Sequence, residues 1–374
     1  MAEPLKNQFS TDIPGKIAGM IAQVFPEFDS DSFVRDALSG YEALNLMARG
    51  WKIARTLRSY LPDDYESAIK ILIESLGPKL VKTENNGMAT FLYLPHVIFI
   101  SEYGLDFFEI SMHAQYELTQ RFTAEFSIRP FIEKYPEATL ARLKVWANDK
   151  NPHVRRLVSE GTRPRLPWAS RLPEFQKDPA PVLELLELLK NDPELYVRRS
   201  VANSLNDIGK DNPLILVETA RRWLKEASSQ QRRWLVRHAL RSAVKRADLD
   251  AMALLGYDNG INISTENASI TPAIAEIGGS VTISFDITNK DSLTHKVMVD
   301  CRVHFVKATG KTSPKVFKLK SVSLEPQETI RIKKSISLRE MTTRKHYPGT
   351  HNVEIMINGL IKPLGLFELI LPIY

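Results

Sequence analysis

Three stretches of the chain share one outline: HVRRLVSEG, YVRRSVANS and LVRHALRSA. Their reference valines, Val154, Val197 and Val236, lie 43 and 39 residues apart. The first two follow an Asn-Pro or Asp-Pro turn at 151–152 and 192–193. Further helical patterns, PVLELLELLK and NPLILVETARRWLKE, fall between them. One helix pair of this size cannot bury its apolar face alone. Stacked pairs can, and the stack curves into a concave groove. A helix pair recurring every ~40 residues therefore predicts a HEAT-like solenoid.

The region before the repeats is helical by the same criterion. PGKIAGMIAQVF, YEALNLMARGWKIARTLRSYL and YESAIKILIESL space their apolar residues three and four apart. Asp31 and Asp63 read as N-terminal caps. A second tract, GLDFFEISMHAQYELTQRFTAEFSIRPFIEKY, reads as helix interrupted at Pro130. After Gly260 the period changes to two. SVTISFDITN, HKVMVDCRVHFVK, KVFKLKSVSL, ETIRIKKSISL, HNVEIMING and GLFELILP are β-branched and alternating, with turn residues between them. Asn358-Gly359 signals a hairpin. Six or seven short strands in about 110 residues predict an immunoglobulin-like sandwich. The expected fold is mainly α: a helical-repeat solenoid over 1–256, then an all-β sandwich over 257–374, joined near YDNGINIS.

Several kinds of chemistry lack their motifs. There is no HExxH, no CxxC, no Walker lysine loop, no GxGxxG after a strand and no GxSxG. His346 and His351 have no carboxylate or thiolate spaced to complete a metal site, so no metal is expected. The single cysteine, Cys301, precludes an intrachain disulfide, and cytosolic residence is the default. MAEPLKNQFS lacks the basic-then-apolar pattern of a signal peptide, and no apolar run reaches the ~18 residues of a membrane span.

Charge is more informative. The formal net charge is +6. Residues 151–250 hold 19 Lys plus Arg against 13 Asp plus Glu, which is the whole surplus. A localised excess of this kind suits a polyanion partner. The repeats place basic residues at equivalent positions: Arg155-Arg156, Arg198-Arg199 and Arg237-His238, with Arg241 and Lys245 beyond. In register they form a stripe that can follow a phosphate backbone. Each arginine could equally cap a neighbouring helix or pair with Asp192 or Glu194.

One stretch departs from the repeat. In NPHVRRLVSEGTRPRLPW a carboxylate, Glu160, sits in the last turn before Gly161 and Pro164. The helix dipole disfavours negative charge there by a few tenths of a kcal/mol up to about 1. Arg155, Arg156, Arg163 and Arg165 surround it, and Trp168 follows. The next repeats have Asn203 and Ser242 at the equivalent position, so the repeat itself does not require an acid. A surface ion pair with Arg156 would contribute only about 0.3–0.5 kcal/mol.

That stretch, together with VRRSVANSLNDIGKDNP at 197–213 and LVRHALRSAVKRAD at 235–248, closely resembles the AlkC branch of alkylation-repair DNA glycosylases. The tail TTRKHYPGTHNVEIMING resembles the members that carry a C-terminal immunoglobulin-like domain. The resemblance spans nearly the full chain. It implies a monofunctional, cofactor-free enzyme that excises cationic methylated bases, chiefly 3-methyladenine and 3-methylcytosine, from duplex DNA. The superfamily is thought to do so without drawing the lesion into a deep pocket. A cationic base is already a good leaving group. The catalyst then needs negative charge near C1′ and a placed water. By the resemblance Glu160 is the first choice for that charge, Glu125 and Asp207 are further acidic positions of the active site, and Trp168 contacts the sugar beside the lesion. Arg156 would reach the groove or the phosphate beside the lesion. Arg163, Arg165, Arg199 and Lys210 would hold flanking phosphates, with Arg237 and Arg241 along the stripe and Arg344 and Lys345 on a basic loop of the β-domain. A monomer acting at the nucleoid is expected, without a membrane partner. The rival reading is a non-catalytic helical-repeat scaffold that binds nucleic acid or protein.

Overall fold

The computed structural model describes residues 7, 9–84, 87, 89–227, 229–340 and 345–372. The chain divides into two compact units. One holds the residues up to Leu216 with Trp223–Ala239, and the other holds Val217–Arg222 with Leu240 onward. Its helices, in order, are α1 (Ile13–Ala22), α2 (Ser30–Leu38), α3 (Leu46–Tyr60), α4 (Tyr65–Glu74), α5 (Leu94–Tyr103), α6 (Phe108–Thr119), α7 (Ile128–Lys134), α8 (Pro136–Trp146), α9 (Pro152–Gly161), α10 (Pro173–Lys177), α11 (Ala180–Leu189), α12 (Leu195–Asp211), α13 (Pro213–Glu226), α14 (Gln230–Ala239), α15 (Arg241–Lys245) and α16 (Leu249–Leu254).

The helix starts follow capping chemistry. Asp29 accepts from Ser32 N at 3.1 Å, Asp64 from Ser67 N at 2.8 Å and Asn151 from His153 N at 2.8 Å. Asp29 and Asp64 are thus the caps, rather than Asp31 and Asp63. Asp31 already lies inside the first turn of α2, and Asp63 falls one residue before the cap of α4. Pro130 does not interrupt a helix either. It occupies the first turn of α7, where a missing N–H leaves no bond unmade. The break falls at 120–127, between α6 and α7.

Val154, Val197 and Val236 are fully buried on α9, α12 and α14, and α12 packs against both of the others. The first arginine of the first two pairs has a structural task. Arg155 Nη1 donates to the Asp149 and Lys150 carbonyls, and Arg198 Nη1 donates to those of Asp192 and Pro193. Each ties its helix to the turn that precedes it. Arg155 also clasps Asp192 with two bonds, at 2.6 and 3.0 Å, joining successive repeats. The second arginine of each pair is left for other work.

The second unit is a sandwich of eight strands among the described residues: β1 (Ile263–Thr271), β2 (Ile274–Glu276), β3 (Ser280–Asn289), β4 (His295–Val306), β5 (Thr312–Leu324), β6 (Thr329–Ser337), β7 (Gly349–Ile357) and β8 (Leu360–Ile370). They form a three-stranded sheet, β1-β3-β6, and a five-stranded sheet, β2-β8-β7-β4-β5. Alternate residues such as Ile283, Phe285, Val299, Cys301, Ile355 and Phe367 meet in the core between them. Asn358 and Gly359, both at positive φ, make the β7–β8 hairpin. Helices α15 and α16 group with this unit, so its first residues precede the junction expected at 257.

Candidate active site

Helix α9 ends where three guanidinium groups converge. Glu160 is only 6 % exposed. Arg163 Nη1 donates to its Oε1 at 2.6 Å, and Arg156 Nη2 lies 3.6 Å from the same oxygen. Ser200 Oγ, one helix over on α12, donates to Oε2 at 2.6 Å. Arg129 approaches from α7 and donates to the Gly161 carbonyl at 3.0 Å, at the negative end of the helix dipole. Burial pushes the Glu160 carboxyl upward most strongly. The charges of Arg156 and Arg163, with the bonds from Ser200 and Arg163, outweigh it and hold the group below the ordinary carboxylate range. The acid at the wrong end of a helix is therefore compensated and ionised.

Glu125 stands on the turn between α6 and α7. Thr123 Oγ1 donates to its Oε2 at 2.9 Å and accepts from its backbone N–H at 3.2 Å. Arg156 Nη2 is 2.9 Å from the same Oε2. One guanidinium thus bridges Glu125 and Glu160, and it also lies 5.1 Å from the centre of the Tyr196 ring. Burial opposes the Arg156 charge, but Glu125 and Glu160 raise its pKa above the ordinary arginine value. The row continues inward. Arg163 Nε donates to Asp207 at 2.7 Å, and Lys210 Nζ reaches the other Asp207 oxygen at 2.7 Å. The sequence Glu125–Arg156–Glu160–Arg163–Asp207–Lys210 alternates in sign and carries no net charge. Carboxylates can then face a polyanion without repelling it.

Glu125, Arg156, Glu160 and Arg163 line an open-sided cleft of about 390 Å³. Its other walls are Phe91, Phe122, Phe126, Tyr196, Leu166 and Trp168. Trp168 is 61 % exposed and has φ +64°, a backbone conformation that side chains with a Cβ rarely adopt. Residues held in such strain cluster at functional sites, at a cost of about 1 kcal/mol or more. The indole is a displayed group and not a core tryptophan.

The remaining expected site residues are distributed differently. Asp207 is fully buried and does not line the cleft. It orients Arg163 from within α12, which runs on past it through Gly209. Arg165 clasps Asp211 through Nε and Nη2. Arg199 Nη1 is 2.9 Å from Glu84, with both side chains nearly half exposed. Arg237 is exposed on α14. Arg241 is half-buried, and Lys345 is exposed, in the second unit. Arg344 lies outside the described residues. Among the described residues no cluster of His, Cys, Asp and Glu is arranged to hold a metal ion. Cys301 is buried in β4, and burial pushes its thiol up to about 12.

Four residues escaped the sequence reading: Thr123, Arg129, Tyr196 and Ser200. Two had a visible signal. Ser200 stands where the first repeat has Leu157, so a hydroxyl occupies a packing position. Tyr196 precedes its repeat valine as His153 does, and the two rings meet edge to face at 5.5 Å. Thr123 and Arg129 had none, because only the fold brings them to the end of α9.

Comparison with known proteins agrees in each part of the chain. Residues 121–243 match the DNA alkylation repair enzyme family. Residues 264–371 match the C-terminal Ig-like domain family of the protein YhaZ. An uncharacterized protein of Bacillus subtilis, YhaZ, is 36% identical over 360 residues, spanning 96% of this chain and 97% of its own length. The structure of Pseudomonas fluorescens alkylpurine DNA glycosylase AlkC, bound to DNA containing an abasic site analog, superposes with a TM-score of 0.90. It is 36% identical and covers 98% of this chain and 100% of that one.

Proposed function

The chain belongs to the AlkC-type family of DNA alkylation repair enzymes, and on that premise we propose that it is a monofunctional DNA glycosylase. Its substrates are cationic N-methylated bases in duplex DNA, 3-methyladenine and 3-methylcytosine. The observation that carries this reading is the pair of carboxylates, Glu125 and Glu160, on one guanidinium at the mouth of a cleft rimmed by an exposed tryptophan.

The chemistry follows from the charge of the base. When the N-glycosidic bond breaks, its electron pair leaves with the base, which becomes neutral and needs no proton. Positive charge then develops on the deoxyribose. Glu160, ionised and fixed by Arg163 and Ser200, supplies a standing negative field at C1′ without reorganising. Both its oxygens are occupied. Glu125 Oε1 accepts no bond among the described residues, so Glu125 is the group that holds the attacking water. Water adds to C1′, its proton passes to the carboxylate and then to solvent, and an abasic site remains. Trp168 contacts the sugar beside the lesion, where an indole face near a cationic base gains about 0.5–2 kcal/mol.

The test is direct. Duplex DNA carrying one 3-methylcytosine or one 3-methyladenine is incubated with the protein and then treated with alkali, which cleaves at abasic sites. Alkali-dependent breaks at the lesion support the reading. Binding without breaks would favour the scaffold.

A further inference from the structure

Arg129 is 1 % exposed on α7 and makes no ion pair among the described residues. Among the described residues its guanidinium bonds only to backbone carbonyls. Nη1 donates to Gly161 O at 3.0 Å and to Arg163 O at 2.9 Å, while Nε donates to Ser170 O at 3.1 Å and Nη2 to the same oxygen. These three carbonyls bracket the segment 161–170, which carries Arg163 and Trp168. Gly161 is packed so closely on this side that a Cβ there would lie 2.5 Å from Ile128. The rest of the segment is held by Arg165 on Asp211 and by Arg163 on Glu160 and Asp207. Burial pushes the Arg129 guanidinium down to about 10, so it remains charged at neutral pH. Glu133, Glu125 and Asp207 act on it only at a distance, and a buried charge with no carboxylate in contact is costly. Its carbonyl partners make sense of that cost, because they hold a strained loop in place.

We propose that Arg129 is a positioning residue for base release: its fork fixes the loop after α9 so that Trp168 stands exposed in the left-handed conformation beside Glu160. The inference rests on the reading of the cleft as the site of base release. Lysine can keep the charge, but it has no planar fork to meet three carbonyls at once.

Two readouts separate positioning from simple support. The first is single-turnover release of 3-methylcytosine, measured well below the melting temperature. Arg129→Lys is expected to slow it roughly ten- to a hundredfold, the scale of an ångström-sized misplacement. If Arg129 acts through the loop, adding Arg129→Lys to Trp168→Ala slows release by no more than about twofold further. A wild-type rate in Arg129→Lys, or losses that multiply, would overturn the proposal. The second readout needs no activity. Subtracting the Trp168→Phe emission isolates the Trp168 indole, which should be open to acrylamide yet show the anisotropy of a rigidly held group. Arg129→Lys should lower that anisotropy. A freely rotating indole in the wild-type protein overturns the proposal even if the variant does not fold. Absence of base release by the wild type, with a rigid Trp168, would instead sink only the glycosylase reading.

Discussion

Replacing Glu160 with glutamine removes one charge and almost no volume. The consequence can be worked from the site. A carboxylate about 4 Å from a full positive charge contributes about 4 kcal/mol at an effective dielectric of ~20. That corresponds to about a thousandfold in rate at 1.36 kcal/mol per decade. Arg163 at 2.6 Å shields part of this field, and the oxocarbenium charge is only partly developed. The expected loss in single-turnover base release is therefore about a hundred- to a thousandfold, the range seen when one preorganised electrostatic group is removed. DNA affinity should change little, since in the proposed role the carboxylate acts on the sugar rather than on a phosphate. Stability should fall by about 1–3 kcal/mol. That is less than the 3–5 of a broken isolated pair, because Arg156 keeps Glu125 and Arg163 keeps Asp207. The pH dependence has a definite sign. The folded pKa of Glu160 is depressed, so its contribution to stability is present above the unfolded value near 4.5 and is lost as pH falls through the lower folded value. Base release by the wild type should stay flat from neutrality down to about pH 5 as far as this group is concerned. A Glu160→Gln enzyme that releases base within about twofold of the wild-type rate, at equal DNA occupancy, would refute the reasoning.

Further perturbations probe neighbouring features. Trp168→Gly should cost base release but change the urea midpoint little, by about 1 kcal/mol at most. The lost indole is 61 % exposed and the left-handed backbone is relieved, whereas truncating a core aromatic costs about 3–5 kcal/mol. Gly209→Ala should destabilise by about 1–3 kcal/mol despite the better helix propensity of alanine, since the new Cβ would lie 2.2 Å from Leu216 Cδ2. Glu84→Gln should tighten DNA binding several-fold at low salt and less at high salt, because it frees Arg199 from its ion pair and removes a negative charge. His96 is buried on α5, and burial pushes its imidazole down to about 4, so folding favours its neutral form. Its contribution is intact above the unfolded value near 6.5 and is lost as pH falls toward 4, up to about 3 kcal/mol, and His96→Leu should flatten the urea midpoint across that window.

The sequence made most of the architecture legible because periodicity is set by local geometry. Val154, Val197 and Val236 had to face inward if helices were to stack, and they do. The alternation after Gly260 had to form sheets, and Asn358-Gly359 had to turn between two of them. Charge was legible only in part. A sequence counts arginines but does not say what each one answers to. Arg155 and Arg198 were drawn inward to carbonyls of the turns before their own helices, and Arg165 to Asp211 at the end of α12. Those partners lie from five to 46 residues away, beyond any helical period. The same limit hid Arg129, whose three carbonyl partners lie at the end of α9 and on the loop after it. Glu160 was visible for the opposite reason. It violated a local rule, an acid at the negative end of a helix, and the violation persists because Arg156 and Arg163, about one turn to either side along the chain, and Ser200, brought by the fold from α12, answer its charge. Where a local rule is broken, the compensation shows which group the structure keeps, and here it comes partly from the chain's own neighbours and partly from the next repeat. In this protein the compensated group also lines the cleft.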